Sequence, residues 1–352
     1  CTFTENSARD GSAIAFNSMG QIGQSTAGLI DCILWDGGNV IWINDRSIIA
    51  ISYSDVRGGW IGTGNIDADP LFADPNGPDD IFGTEDDDLR LAPSSPCVDA
   101  GDPNYEPGPN KKDFAGNPRV ASGRVDMGAY ETQGIIYVDS QASDDSGRSD
   151  FLEDGSAARP FDTIQEAINI AKDRQTVLVR PGVYESINFE GKAITVAGTE
   201  GAAVIEATKP SRTGGGTIRN GDAITFHTGE GPGSVLKNFI IRNSDMAISL
   251  NYGSSPTITN LTIVDNDFGI SAYENSNPDI SNCIFWNNRD GDLFQCQARY
   301  SCFESETPGE GNISGNPLFV DPVYESREWD EDYYGDYHLM SEGWRWSTYE
   351  ES

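Results

Sequence analysis

One short phrase is written three times between Val235 and Asn288. Asn238-Phe239-Ile240-Ile241 returns 22 residues later as Asn260-Leu261-Thr262-Ile263, and after another 22 as Asn282-Cys283-Ile284-Phe285. Other positions keep the register: Ile248 answers to Ile270, and Ser255-Pro256-Thr257-Ile258 to Asn277-Pro278-Asp279-Ile280. A period of 22 is too short for paired helices and too long for a hairpin, but it suits one coil of a solenoid. Within each coil the apolar residues alternate, Phe239 with Ile241, Leu261 with Ile263, Cys283 with Phe285, as in strands with one buried face. Stacked at the usual strand spacing of roughly 4.8 Å, they form ladders along an apolar interior. The expected fold is all-β, a parallel β-helix. Asn238, Asn260 and Asn282 recur at one corner, where Asn tolerates left-handed backbone and bonds to a neighbouring coil, so their role is structural.

Charge narrows the partners. The 352 residues carry 23 Lys and Arg against 56 Asp and Glu, a formal net charge of −33. Such a surface repels nucleic acid and anionic membranes and attracts divalent cations. The most acidic loop runs from Asp74 to Asp88, with seven carboxylates and no base. Its mixture of Asp, Asn and Gly resembles calcium loops in kind without EF-hand spacing, and Asp74, Asn76, Asp79, Asp80, Asp86 and Asp88 are the candidate ligands. A merely solvated loop is the alternative. No apolar run reaches the length of a membrane span, so membrane insertion is not expected.

The repeat extends further than the three coils. Cys1-Thr2-Phe3-Thr4-Glu5-Asn6 and Asp31-Cys32-Ile33-Leu34-Trp35 both follow the pattern of Asn282-Cys283-Ile284-Phe285-Trp286. Tyr53-Ser54 matches Tyr300-Ser301, and Asn65 to Pro75 matches Asn312 to Pro322, including Pro70-Leu71-Phe72 against Pro317-Leu318-Phe319. The chain thus reads as the last coils and closing module of one unit, 1–133, followed by a second unit, 134–352, whose own closing module is incomplete. It has the look of a piece of a longer polypeptide. Among the six cysteines there is no C-x-x-C and only two histidines accompany them, so zinc is not expected. Cys1, Cys32 and Cys283 read as small buried hydrophobes, with a lipid-bearing Cys1 as the alternative, while Cys296 and Cys302 are placed to form a disulfide.

In the second unit, Phe161 to Ala171 has apolar residues at helical spacing, Ile164, Ala167, Ile168 and Ala171, with Asp162 or Thr163 as cap; the helix is expected over about 161–172. Ser211 to Gly216 is Gly-rich but lacks a following G-K-[ST], so it is a surface loop and not a phosphate loop.

The closing run is the most specific. Ser95-Pro96-Cys97-Val98-Asp99-Ala100-Gly101-Asp102-Pro103, Asp113-Phe114-Ala115-Gly116-Asn117-Pro118-Arg119 and Arg124-Val125-Asp126-Met127-Gly128-Ala129-Tyr130-Glu131 resemble the closing module of secreted right-handed parallel β-helix proteins of planctomycetes and related bacteria. The resemblance covers nearly the whole chain. It implies the pectate-lyase-like fold, a helix capping the first coil, and a place in large surface or secreted proteins. It does not imply one chemistry, because the fold hosts many.

Polygalacturonases of this fold carry N-T-D, D-D, G-H-G and R-I-K segments; only an Asp-Asp pair occurs here, and neither His227 nor His338 lies in a G-H-G setting. Lyases of this fold combine calcium, carboxylates and an Arg or Lys base, for which Arg242, Asp265 and Asp245 are the candidates, expected as outward neighbours on one sheet face. A surface ion pair is the plainer reading of the same residues. Trp35 and Trp286 stand at matching places and, with Leu34 and Phe285 inside, point outward; they are either glycan-stacking rings or lie beneath their closing modules, and the second suits their duplication better. The expected role is an extracellular or cell-surface structural component of a matrix, adhesion or fibre, with other copies of itself or surface polysaccharide as partners. A calcium-dependent polysaccharide lyase or glycan-binding module is the alternative.

Overall fold

The computed structural model describes residues 1–17, 24–108, 111–121, 123–142, 153–207, 221–321 and 336–339. The Gly-rich stretch Ser211 to Gly216, the acidic run that starts at Tyr324 and the stretch Ser341 to Trp346 lie outside them. Two compact units are present, and the chain passes between them several times: the first holds Cys1–Val138, Ala142–Asp162 and Ile170–Val177, the second Asp139–Gln141, Thr163–Asn169 and Leu178–Ser352. Arg159 donates to the Ala73 carbonyl at 2.9 Å, Gln175 Nε2 to Asp99 at 3.3 Å and Lys172 Nζ to the Val98 carbonyl, which ties those later segments into the first unit.

In the second unit three faces of parallel strands are laid down in turn by each coil. The first carries Thr195–Gly198, Val235–Lys237, Thr257–Thr259, Asp279–Ser281 and Ala298–Arg299. The second carries Gly182–Tyr184, Ala203–Glu206, Ile240–Arg242, Thr262–Val264, Ile284–Trp286, Cys302–Phe303 and Ile313–Ser314. The third carries Ile187–Asn188, Asp222–Phe226, Met246–Leu250, Phe268–Ala272 and Leu293–Phe294. In-register pairing stacks like on like inside: Val196, Leu236, Ile258 and Ile280 on one face, Ile205, Ile241, Ile263, Phe285 and Phe303 on the next, all 1% exposed or less. Phe285 and Phe303 stack at 4.8 Å between centroids. Burying such a side chain stabilises by about 1.5–3 kcal/mol, and repetition adds one such contribution per coil.

The corners follow the sequence reading. Asn238, Asn260 and Asn282 have φ of 64°, 54° and 56°, the left-handed region that Asn enters at low cost. Asn260 Nδ2 reaches Asn238 Oδ1 at 3.4 Å, one coil away. At another corner Asn266, 3% exposed, donates to the carbonyls of Ile241 and Val264 and to Asn288 Oδ1, so that buried backbone oxygens are satisfied.

Among the described residues there is one α-helix, Ile164–Ile170, shorter than the expected span. Its cap is Thr163: Oγ1 accepts from the Glu166 amide at 3.2 Å and donates to Glu166 Oε2 at 2.8 Å. Ile164, Ala167 and Ile168 are buried. Lys192 Nζ donates to the Ile168 and Asn169 carbonyls at 2.6 Å each, where the last turn has no helical partners.

The first unit repeats this plan with fewer coils. Thr2–Phe3, Ile33–Leu34 and Asp55–Val56 pair in parallel, as do Ile14–Phe16 with Ile41–Ile43 and Thr26–Ile30 with Ile48–Ser52. Cys32, Leu34, Val40, Ile41, Ile51 and Val56 form the interior. All six cysteines are free thiols. The expected Cys296–Cys302 disulfide is not formed: Cys296, in the connection between Leu293–Phe294 and Ala298–Arg299, has Sγ facing the Ile270 carbonyl at 3.7 Å, and Cys302, on the strand Cys302–Phe303, has Sγ facing the Gly315 carbonyl at 3.4 Å. Cys32 and Cys283 are buried as expected, at 6% and 1% exposed, whereas Cys1 is exposed.

Candidate functional site

Arg242 and Asp265 lie on the outward side of the second face. Alternation puts Ile241 inside and Arg242 outside, and the same rule puts Phe285 inside and Trp286 outside. Outside is not solvent here. An antiparallel hairpin, Phe319–Asp321 with Asp336–Leu339, lies across this face, and Phe319 and Tyr337 pack with Val264, Ile240, Ile284 and Trp286 in a second apolar layer. Arg242 is 5% exposed, which corrects the expectation of an open surface pair.

Beneath the hairpin the polar groups satisfy one another. Arg242 Nε donates to Glu206 Oε1 at 2.6 Å, and Asn243 Nδ2 to the same oxygen at 3.2 Å. The Tyr337 hydroxyl donates to Asp265 Oδ2 at 2.9 Å, while Asn287 Nδ2 donates to Asp265 Oδ1 at 2.6 Å. Burial, then the adjacent Asp265 carboxylate, push the Tyr337 phenol above its ordinary value, so it stays a neutral donor. Asp245 is placed elsewhere, accepting from the Gly221 amide at 3.2 Å. His227 is exposed, with Nε2 3.4 Å from Asn188 Nδ2, and the side chain of His338 lies outside the described residues. Two of the three predicted site residues are thus brought together, in a closed, hydrogen-bonded cluster.

The first unit has a matching antiparallel hairpin, Phe72–Asp74 with Asp88–Leu91, and Trp35 and Trp286 are both half-buried under their hairpins. Trp286 contacts the Phe319–Tyr337 layer. Trp35 packs with Ile33, Leu91, Cys97, Val98 and Met127, and the Arg57 guanidinium lies 5.5 Å from its ring centroid.

The acidic loop does not gather its six candidate ligands. Asp88 is paired with Arg90, which holds its carboxyl below the ordinary range, and Asn76 Nδ2 donates to Asp80 Oδ1 at 3.1 Å. Nowhere in Asp74 to Asp88 do three carboxylate oxygens from different residues lie within 4.8 Å of one another. A smaller set surrounds Thr84 Oγ1: Asp86 Oδ1 at 2.6 Å, Asp87 Oδ1 at 3.2 Å, Asp79 Oδ1 at 3.5 Å and the Ile81 carbonyl at 3.0 Å.

Residues 169–304 match the family described as "Right handed beta helix region". The fold is the right-handed parallel β-helix. No curated protein and no solved structure matches the chain.

Sequence reasoning did not find the buried polar groups of the closing module in the first unit. Asp55, fully buried, accepts from Cys97 Sγ at 3.3 Å and from the Ala68 amide at 3.2 Å. Burial is the main reason its carboxyl is pushed up to about 6. Asp31 Oδ1 accepts the Asp102 amide at 2.6 Å, and Arg119 meets Glu131 at 2.8 Å. The available signal was acids set singly among apolar and glycine positions, as in Val125-Asp126-Met127.

Proposed function

We propose that this chain is a non-catalytic architectural component of the cell surface or extracellular matrix, in which rigid β-helical units provide length and an acidic face for adhesion, fibre formation or matrix contact. One observation carries the reading: the sheet face that holds Arg242 and Asp265 is occupied by the chain's own hairpin. A polysaccharide has no approach to those groups while Tyr337 is seated. The net charge of −33 supports partners other than nucleic acid, either further copies of the chain bridged by cations or a surface polysaccharide. Calcium belongs to this reading through the loop around Thr84, whose single hydroxyl proton can satisfy only one of the four oxygens about it.

The second reading is a calcium-dependent polysaccharide lyase. It is favoured by the convergence of Asp265 with a tyrosine hydroxyl beside a buried arginine. The two are separated by incubating the protein with polygalacturonate and alginate, with calcium and with chelator, and following unsaturated uronate products. The architectural reading expects no turnover in either condition. Turnover abolished by Arg242→Met would overturn it. Imaging the same samples tests assembly, since dispersed monomers both with and without calcium would remove the cation-bridged fibre.

A further inference from the structure

Two turns of the first unit hold apolar side chains in water on a pinned backbone. The first spans residues 113–117. The Asp113 amide donates to the Asn117 carbonyl at 2.9 Å, the Asn117 amide returns to Asp113 Oδ1 at 2.7 Å, and Lys112 bridges Pro118 in antiparallel fashion. The Phe114 amide is tied to the Ala129 carbonyl at 3.0 Å, and Asp113 Oδ2 accepts the Glu131 amide at 3.0 Å. The turn is closed on both sides, yet Phe114 is 80% exposed, with the half-buried Tyr130 ring edge-on at 5.5 Å between centroids. Asp113 is itself buried, so the charge displayed around Phe114 is that of Lys111 and Lys112, both exposed. Lys112 Nζ donates to the Gly116 carbonyl at 2.6 Å, which fixes its charge at the turn. In a chain of net charge −33 this is a cationic spot with an aromatic centre.

The second turn is the tip of the acidic loop. Ile81 is 58% exposed and Phe82 53%, and the backbone beside them is held: the Ile81 amide donates to Asp79 Oδ1 at 2.9 Å and the Gly83 amide to Asp87 Oδ2 at 2.7 Å. Asp79, Asp80, Glu85 and Asp86 are exposed around that tip. Arg90 links the two turns, being paired with Asp88 at the base of the loop and within electrostatic reach of Tyr130.

We propose that two copies of the chain meet through this patch about a two-fold axis, with Phe114 and its lysines on one copy against Ile81, Phe82 and their carboxylates on the other, and the reverse. A two-fold contact requires such self-complementarity, each spot finding its opposite across the axis. Apolar groups at the centre and charges at the rim are the composition of a binding surface. The net repulsion between two acidic chains does not forbid it, because at physiological salt charges more than about 8 Å apart are largely screened and the local pairing decides. An acidic glycan would match the lysines but be repelled by the loop, whereas a second copy satisfies both halves.

Sedimentation velocity of the full chain over ~1–100 µM tests it. A reversible dimer is expected, with a dissociation constant that rises at least ~10-fold in Phe114→Ser, a change at a side chain with little packing to lose. One copy carrying Lys111→Glu with Lys112→Glu, and another carrying Glu85→Lys with Asp86→Lys, are each expected to be monomeric alone and to form a mixed dimer when combined, since reversal on opposite halves restores both pairings. This contact presupposes that copies of the chain are partners to one another, as proposed above, and the two readings fail differently. Monomers at every concentration remove the contact and self-association together. A dimer unmoved by Phe114→Ser, or reversed copies that do not pair, removes this patch alone. Monomers that bind polygalacturonate, with binding lost in Phe114→Ser, would give the spot to an acidic glycan and overturn the contact between copies. Should a charge-reversed copy fail to fold, Phe114→Ser still decides.

Discussion

In the first unit Ser54 Oγ accepts the Cys32 amide at 3.1 Å and donates to the Ser52 carbonyl at 2.9 Å; in the second, Ser301 Oγ accepts the Cys283 amide at 3.1 Å and donates to the Arg299 carbonyl at 2.9 Å. Asn65 and Asn312 accept the amides of those serines, and Tyr53 and Tyr300 precede them at φ of 48° and 52°. Gly64 and Gly311 each pass so close to that tyrosine that a Cβ would meet its ring at 2.2 and 2.3 Å. The hairpins repeat too, Phe72 pairing with Leu91 and Phe319 with Leu339. Around the hairpin the units differ in their polar fastenings. The position after Ser54 is Asp55, fully buried against Cys97, whereas the position after Ser301 is Cys302, half-buried. Both hairpins rest on an apolar layer, Phe72 and Leu91 with Ile33 and Trp35 in the first, Phe319 and Tyr337 with Val264 and Trp286 in the second; the first closing module adds buried carboxylates around Arg119, the second hairpin one phenol on Asp265. Shared backbone geometry thus sets where a cover lies, and side-chain chemistry sets how it responds to its surroundings.

The largest expected effect separates the two guanidinium sites. Arg119→Ala leaves the Glu131 carboxyl, wholly buried, without its cation and is expected to cost about 3–5 kcal/mol, whereas Arg242→Ala leaves Glu206, whose side chain is 25% exposed, and is expected to cost about half as much. Urea unfolding of each variant checks this, and equal costs would show that burial of the acid is not what distinguishes the sites. Phe319→Ala, at a residue 2% exposed, is expected to lose about 3 kcal/mol, against about 1–2 for the half-buried Phe72→Ala, measured the same way.

A smaller effect follows from Asp55. Its folded value of about 6 lies above the unfolded one, so its contribution is present in acid and disappears as pH rises through 6. Between about pH 5 and pH 8 the first unit is expected to lose about 1 kcal/mol from this group, and Asp55→Asn removes that slope. Of the same size is Tyr337→Phe, which deletes the bond to Asp265 and is expected to cost about 1 kcal/mol. Thermal melts at several pH values read both.

The coil was legible because its determinants are local and repeated. Ile241, Ile263 and Phe285 stand 22 residues apart, and the structure stacks them in one column. The positions of Arg242 and Trp286 were legible as far as parity reaches, which is the side of the sheet they occupy. Parity does not say whether a further layer covers that side. That layer comes from Phe319 and Tyr337, whose partners lie far back in the chain: the Tyr337–Asp265 bond spans 72 residues, and no periodicity links its ends. The same limit hid the closing module's carboxylates. Asp31 and Asp102 are 71 positions apart, and an isolated acid in sequence looks the same whether it faces water or a backbone amide. The proposed thiol pair failed for a related reason, since nearness along the chain left Cys296 in a connection facing the Ile270 carbonyl and Cys302 on a strand facing the Gly315 carbonyl.

The 22-residue register also bears on how the molecule reaches its native state. Most ladder bonds of the three regular coils join residues a single turn of the solenoid apart, so a growing stack closes only one short loop at a time. The coil already formed is the template on which the next is laid, and the helix Ile164–Ile170, docked on the coil that holds Asn188, offers a place to begin. Even the wider step from Glu206 to Arg242, 36 residues, adds little, because closure entropy grows only with the logarithm of loop length. A chain built this way can assemble in the order in which it is synthesised, and an insertion in one turn delays a single step while leaving the steps after it unchanged.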